Sequence, residues 1–365
     1  MSKPPHPRPR TPGVSHRRMQ IDLALQGGGS HGAFTWGVLD RLLEEDGLEI
    51  AAISGTSAGA MNAVALAAGL MDGGREGAQR VLRNFWQRVS QSSPFHHLQS
   101  GPLGTLAGPA ADLLAPWIEP WKRAASLWGQ QFSPYQLNPL NLNPLHDILV
   151  DTVDFERVRQ CDKTQLFIAA TQVRTGALRV FDQSTLNADM VMASACLPLM
   201  FQAVEIDGEG YWDGGYAGNP SLMPLIAQSA ADDLLLVQIN PIERAALPTR
   251  AGDILDRINE VTFNASLVKE MRSIALLKQL IGEEGRPAHA YRNPLFQRVD
   301  ALRVHLIDGG ASLAPLGADS KSSTQWAFLL QLHDLGVKAA DSWLEQHGDD
   351  IGVRSSLDLS GALVS

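Results

Sequence analysis

Short apolar segments alternate with longer segments of mixed polarity along most of the chain. Segments of four to eight residues that are apolar at most positions predict buried strands at 19–26, 50–54, 166–171, 178–181, 234–239 and 302–307. Apolar side chains at helical spacing, or runs of small apolar residues, predict helices at 30–45, 58–70, 75–89, 190–196, 253–281 and 324–346. This alternation predicts an α/β fold, with three α/β/α layers and a mostly parallel central sheet.

Three stretches depart from this pattern and divide the chain. Residues 1–18 are rich in Pro, Arg and His and lack an apolar segment, so we expect a disordered basic tail rather than a signal peptide. The stretch of about 90–145 is rich in Pro, Gly and Asn, which indicates a cap inserted over the core. Residues 348–365 are expected to form a loose tail, which leaves one α/β domain over 19–347.

Composition narrows the range of partners and compartments. The net charge of −9 argues against nucleic acid, because duplex binding needs a basic face. No window of 18 apolar residues occurs, so we expect no membrane-spanning segment and, without a signal peptide, a cytoplasmic protein. The two cysteines, Cys161 and Cys196, lack zinc-ligand spacing and indicate buried thiols in a reducing compartment.

Ser57 stands at the centre of the sequence Gly55-Thr56-Ser57-Ala58-Gly59. The preceding strand and the following small-residue helix predict a sharp turn that presents the serine hydroxyl, as a catalytic nucleophile requires. The small neighbours let the backbone turn and let a substrate approach, while the start of the helix favours developing negative charge. A plain tight turn in which Ser57 caps the next helix is the alternative.

Three glycines, Gly27, Gly28 and Gly29, follow the first strand and leave backbone N–H groups free to face one anion. We interpret them as an oxyanion hole, with the Ala58 N–H as a further donor. The spacing of Gly27, Gly29 and Gly32 also fits the dinucleotide-binding fingerprint. That fingerprint expects an acidic residue after the second strand, and the serine turn occupies its place here, which favours the oxyanion hole.

A carboxylate able to activate Ser57 comes from Asp213-Gly214-Gly215, since burial raises the pKa of a carboxyl group into the range of a general base. Asp308-Gly309-Gly310 has the same local sequence, and composition does not separate the two. A Ser-His-Asp triad is the alternative. His305 and His333 have the chain order that α/β-hydrolases use, although structural roles are expected for both.

As a set, these motifs resemble those of the patatin-like phospholipase family, whose members are lipid acyl hydrolases with a Ser-Asp dyad. The matching segments are 23–32, 55–59, 193–198 with Phe201, and 213–215 with Asn219-Pro220. The resemblance covers about residues 20–240 without the 90–145 stretch. It implies a sheet flanked by helices, related to the α/β-hydrolases.

The resemblance also implies roles for individual residues. Ser57 would be the nucleophile and Asp213 its base, in preference to Asp308, because only Asp213 precedes an Asn-Pro pair. Supporting positions would be His31, Gly32, Gly55, Gly59, Gly214 and Gly215. Many family members have Arg or Lys where this chain has His31. A protonated His31 would have to replace that cation, so activity would fall as the pH rises through a pKa near 6.5.

The sequence therefore predicts a serine hydrolase that cleaves carboxylic esters of lipids, of phospholipase A type, without metal or cofactor. An intracellular polyester (polyhydroxyalkanoate) depolymerase, a short-chain esterase, a dinucleotide-binding oxidoreductase and a non-catalytic lipid-binding protein stay open as alternatives. Trp117, Trp121 and Trp128 lie close to one helical face, with Lys122 and Arg123 between them, which suits peripheral contact with a lipid surface through the cap. Head group, acyl-chain length and oligomeric state are not determined by the sequence.

Overall fold

Strands and helices alternate through most of the computed structural model, which describes residues 19–92, 133–244, 246–287, 290–316, 318–359 and 361. The first part forms β1 (Met19–Leu25), α1 (Gly32–Leu43), β2 (Leu48–Gly55), α2 (Ala58–Gln91), α3 (Pro134–Leu137), α4 (Pro144–Thr152) and α5 (Phe155–Arg159). The middle forms β3 (Gln165–Gln172), β4 (Leu178–Asp182), α6 (Ala188–Ser194), β5 (Val204–Ile206), β6 (Glu209–Asp213) and α7 (Met223–Gln228). The last part forms β7 (Asp233–Gln238), α8 (Ala251–Glu284), α9 (Pro294–Ala301), β8 (Arg303–Asp308), α10 (Gly310–Leu313) and α11 (Trp326–His347).

The strands of the described chain form one sheet in the order β5-β6-β3-β2-β1-β7-β8, and β4 pairs with β3 off this path. The central pairs β3–β2, β2–β1, β1–β7 and β7–β8 are parallel, whereas β4, β5 and β6 pair in antiparallel fashion. Helices cover both faces of this sheet. The fold is therefore the three-layer α/β architecture, with a mostly parallel sheet, that the sequence predicts.

Strand β3 pairs with both β2 and β6 and so brings the ends of these two strands together. Its Ile168 pairs with Gly55, the last residue of β2, and its Ala170 pairs with Asp213, the last residue of β6. Strand β6 therefore lies along β3 just beyond the point where β2 ends. This arrangement places Asp213 beside the turn that follows β2, although more than 150 residues separate them in the chain.

Both faces of the central strands are buried, which explains why their sequences are almost continuously apolar. One face packs against α1, α2 and α11 in a cluster that includes Phe34, Trp36 and Phe85. The other face packs against α7, α8 and α9 in a smaller cluster that includes Leu225 and Leu267. Because β1 is buried on both faces, the loop that follows it starts from a strand held in place by packing on each side.

Several predicted elements differ from those observed. The β5–β6 hairpin is missing from the sequence prediction. Its two-residue turn has positive φ at Asp207 and Gly208, the Asp-Gly signal of a tight hairpin. The expectation of a loose tail after 348 is wrong for 348–359, because the Leu357 N–H donates to the Val304 carbonyl and the Ser356 hydroxyl bonds His305. The tail 1–18 and most of the predicted cap, 93–132, lie outside the described residues.

Candidate active site

Ser57 occupies a strained turn between β2 and α2. Its φ of 53° and ψ of −120° lie in a region that non-glycine residues rarely adopt. Its N–H donates to the Ser194 Oγ over 2.9 Å, which holds the turn against the end of α6. The side chain is partly exposed while Thr56 and Ala58 on either side are buried. The turn therefore presents one hydroxyl at the end of the sheet, as the sequence predicts for a nucleophile.

The glycines on either side of Ser57 allow this turn by close backbone approach. A Cβ at Gly59 would lie 2.2 Å from the Leu25 carbonyl oxygen, and a Cβ at Gly55 would lie 2.8 Å from the Gly59 carbonyl. Neither position has room for a side chain. Gly32 likewise meets Ala58, since a Cβ at Gly32 would lie 2.5 Å from the Ala58 Cβ. The start of α2 is thus packed directly onto the ends of β1 and the glycine-rich loop.

Asp213 is buried at the end of β6, with a relative exposure of 1%. Its Oδ1 accepts the Gly215 N–H over 2.7 Å, and the Ser57 side chain lies close enough to the carboxylate to lower its pKa. Burial raises the pKa of Asp213 to about 7, although the Gly215 N–H and the nearby Ser57 side chain oppose the shift. The structure thus brings Ser57 and Asp213 together and gives the carboxyl group a proton affinity suited to a general base near neutral pH.

Close packing also explains the two glycines after Asp213. A Cβ at Gly214 would lie 2.2 Å from the Ala169 carbonyl oxygen, and one at Gly215 would lie 2.2 Å from the Phe263 ring. The backbone therefore folds tightly under the carboxylate, with Tyr216 beside Phe263 at a ring separation of 5.0 Å. At this site, close packing as well as the turn requires glycine at both positions after Asp213.

The glycine-rich loop lies directly beside the serine turn, since a Cβ at Gly27 would lie 2.8 Å from the Ser57 Cβ. The Gly27 N–H donates to the Asn219 Oδ1 over 2.7 Å, so it is engaged here, in contrast to its expected role as an oxyanion donor. The N–H groups of Gly28, Gly29 and Ala58 have no hydrogen-bond partner among the described residues. These three are the donors left for an oxyanion.

A family model described as patatin-like phospholipase matches residues 23–226, more than half of the chain. The chain belongs to the patatin-like phospholipase family. The matched range contains the glycine-rich loop, the serine turn and the Asp213 loop, which the fold brings to one end of the sheet. The family resemblance inferred from the sequence motifs is therefore confirmed.

Solved structures similar to this patatin-like chain share little sequence with it. VipD from Legionella pneumophila is 16% identical, with 87% of this chain and 67% of that chain covered and a TM-score of 0.34. ExoU from Pseudomonas aeruginosa, in complex with SpcU, is 16% identical, with 95% and 77% covered and a TM-score of 0.28. A search of curated proteins finds no significant match.

Buried amides connect the loops of this patatin-like site, a role that the sequence does not predict. Gln26, at the end of β1, accepts the N–H groups of Ile239 and Asn240 and donates to Asn264 over 2.8 Å. Asn219 accepts the Gly27 N–H and donates to the Phe263 carbonyl. In the sequence, the one sign of the structural role of Gln26 is that a polar residue directly follows a buried strand. Only the fold brings the others together.

His31 does not supply the cation expected at its position in this family. It is 2% exposed, and its Nε2 lies 2.7 Å from the Ser320 Oγ. Burial and the nearby Lys321 cation lower the pKa of His31 to about 4, so the ring is neutral near pH 7. The expectation of a protonated His31 titrating near 6.5 is therefore wrong.

The alternative catalytic residues lie in other surroundings. Asp308 follows β8, three strands away from β2, and caps the Gly310 N–H over 2.7 Å. His305 is buried between Asp233 and Ser356, each 3.0 Å from a ring nitrogen. His333 likewise contacts Asp40 and Asp334 through its two ring nitrogens. Both histidines have partners other than Ser57, as expected for structural histidines.

The remaining predictions concern the cysteines, the tryptophans of the cap, membrane-spanning helices and metal ligands. Cys161 and Cys196 are buried and unpaired, as expected, and burial raises the pKa of Cys196 to about 11. Trp117, Trp121 and Trp128 lie outside the described residues, so their role stays a prediction. No described helix has the length and apolar composition needed to cross a bilayer. Within the described ranges, no group of three metal-ligating side chains occurs.

Proposed function

We propose that this chain hydrolyses carboxylic ester bonds of lipids through a Ser57–Asp213 dyad. The observation that carries the proposal is the placement of Ser57, in its strained turn at the end of β2, beside the buried Asp213 carboxylate at the end of β6. A serine hydroxyl is a weak nucleophile by itself, and an adjacent base activates it. Membership of the patatin-like phospholipase family supports a lipid as the substrate.

The geometry supports a two-step reaction. Asp213 removes the proton from the Ser57 Oγ as this oxygen attacks the ester carbonyl carbon, and the carbonyl oxygen becomes an oxyanion. The N–H groups of Gly28, Gly29 and Ala58 would stabilise this charge, together with the positive end of α2. The protonated Asp213 then gives its proton to the leaving alcohol oxygen as the carbon–oxygen bond breaks.

The second step removes the acyl group from the enzyme. Asp213 takes a proton from a water molecule, and the resulting hydroxide attacks the acyl-Ser57 carbonyl carbon. The same N–H groups hold the second oxyanion, and Ser57 recovers its proton from Asp213 as the fatty acid leaves. The pKa of about 7 lets Asp213 both accept and return a proton near neutral pH.

Contact with a lipid surface is the second part of the proposal. Apolar side chains stand exposed in the loop between α6 and β5 and in the turn that follows Asp213, with Leu199 81%, Met200 56% and Tyr216 41% exposed. Such side chains suit shallow insertion among acyl chains. Replacing Leu199 and Met200 by Ser is expected to reduce hydrolysis of vesicle lipid more than hydrolysis of a soluble ester. Equal losses on both substrates would refute the surface contact.

A fluorophosphonate probe tests the nucleophile directly, because it forms a stable bond to an activated serine. We expect a single adduct on Ser57, located by mass spectrometry, and no adduct in Ser57→Ala. Ser342→Ala, an exposed serine on α11, is the matched control and should label as the wild type does. Hydrolysis of phospholipid, neutral lipid and polyester by the labelled and unlabelled protein then identifies the substrate class. Unchanged turnover in Ser57→Ala would overturn the proposal.

A further inference from the structure

The segment Ala318–Ser322 lies against the glycine-rich loop, nearly 300 residues away in the chain. Its Ser320 hydroxyl lies 2.7 Å from the His31 Nε2. Its Lys321 carbonyl faces Gly29 so closely that a Cβ at position 29 would lie 2.5 Å from that oxygen. Gly29 has a φ of 60°, which a glycine adopts without strain. This segment therefore supports the loop that carries the candidate oxyanion donors.

The Lys321 side chain reaches the same loop through one amide. Its Nζ donates to the Asn240 Oδ1 over 2.6 Å, and the Asn240 Nδ2 donates to the Gly27 carbonyl oxygen over 2.7 Å. An ammonium group only donates and a carbonyl oxygen only accepts, so both ends fix the orientation of the Asn240 amide. The Gly27 carbonyl belongs to the same peptide group as the Gly28 N–H. The Lys321 cation is thus connected, through two hydrogen bonds, to a candidate oxyanion donor.

Hydrogen bonds in series polarise one another, and the effect is larger in a buried site with a charged end. The Lys321 cation, bound to the Asn240 Oδ1, draws electron density from the Asn240 amide. The Asn240 Nδ2–H therefore becomes a stronger donor to the Gly27 carbonyl oxygen. A polarised Gly27 carbonyl in turn makes the Gly28 N–H more positive. We propose that Lys321 is a positioning residue that acts through Asn240 to hold and polarise the Gly27–Gly28 peptide group toward the oxyanion. This inference rests on the proposed Ser57 hydrolysis.

The charged groups around Lys321 are compatible with this role. Burial lowers the pKa of Lys321 below its ordinary value, Glu260 and Asp256 on α8 favour the cation, and Arg244 opposes it. Glu260 is already bound by Arg244 and by Arg257. His31, the other titratable group of the loop, is neutral near pH 7 because burial lowers its pKa to about 4. Lys321 therefore supplies the positive charge that position 31 lacks in this chain.

The test compares Lys321→Met, which keeps the unbranched four-atom stem of the side chain but removes the ammonium group, with Lys321→Arg and with the exposed control Lys338→Met. We expect Lys321→Met to lower kcat on a soluble ester about tenfold with KM within twofold. Removing an oxyanion donor outright typically costs about 10²–10³, so loss of polarisation alone should cost less. Affinity for a trifluoromethyl ketone, which forms an oxyanion on Ser57, should fall by the same factor. Lys321→Arg should recover most of the activity.

A second variant keeps the test decisive if Lys321→Met folds poorly. Asn240→Asp preserves the shape and the contact with Lys321 but removes the donor to the Gly27 carbonyl, so kcat should fall similarly. The double variant should lose little more than either single variant, because both act on one chain of hydrogen bonds. Additive losses, or a rise in KM alone, would overturn the role of Lys321. Turnover that survives Ser57→Ala would instead remove the proposed function, and this inference with it.

Discussion

Replacing Asp213 by Asn tests the proposed general base and the effect of its burial in one experiment. The substitution keeps the size of the side chain and an oxygen for the Gly215 N–H but removes the proton acceptor. Because general-base catalysis contributes about 10²–10⁴ in rate, we expect kcat to fall by that factor. Asp308→Asn is the matched control, since Asp308 also precedes two glycines and also caps an N–H over 2.7 Å, but far from Ser57.

The pH dependence gives a second, independent measurement. In the proposed reaction Asp213 must be ionised to accept the Ser57 proton, and burial raises its pKa to about 7. The kcat/KM of the wild type should therefore fall as the pH drops below 7, about tenfold for each further unit. Initial rates on a soluble ester between pH 5 and pH 9 measure this limb, and the residual activity of Asp213→Asn should lack it.

Folding stability should change with pH in the opposite sense. The folded state binds a proton on Asp213 between its ordinary pKa of 3.8 and about 7, a range in which the unfolded chain does not. The stability that this group contributes is therefore present at low pH and is lost as the pH rises through that range. At about 1.4 kcal/mol per unit the upper limit is roughly 4 kcal/mol. Urea unfolding at pH 8 should find Asp213→Asn at least as stable as the wild type.

Two outcomes would refute the role of Asp213 as the general base. One is an acid limb of the pH–rate profile that persists in Asp213→Asn, and the other is an equal loss of activity in Asp308→Asn.

Three further predictions concern the loops that hold the site. Gly59→Ala should destabilise the fold by at least about 2 kcal/mol in urea unfolding, because the new Cβ meets the Leu25 carbonyl at 2.2 Å, whereas Gly47→Ala, with nothing within 4 Å, should be nearly neutral. Asn219→Ala should cost about 1–3 kcal/mol and lower kcat, since the Gly27 N–H loses its acceptor; wild-type kcat would contradict this. His31→Gln should leave the midpoint of the pH–rate profile unchanged. It should also remove a loss of stability as the pH falls from about 6.5 to 4, which thermal melts at several pH values can measure.

The sequence determined the local chemistry because each motif is built from neighbours in the chain. An apolar strand ending in three glycines, and a serine between small residues after a second strand, already specify two sharp strand–helix turns. The predicted α/β architecture followed from the same alternation. The β5–β6 hairpin is absent from the sequence prediction because its strands are short and only partly apolar, although the Asp207-Gly208 pair is typical of a tight turn.

Tertiary structure decided which distant groups meet, since contacts between remote segments leave no local pattern. Asp213 and Asp308 are both followed by two glycines, and only the pairing of β3 with both β2 and β6 places Asp213 beside Ser57. The engagement of the Gly27 N–H by Asn219 and the neutral state of His31 depend on burial and on partners from other loops. The cation beside the glycine-rich loop comes from Lys321, in a segment with no motif of its own, because the fold rather than the chain order brings it there.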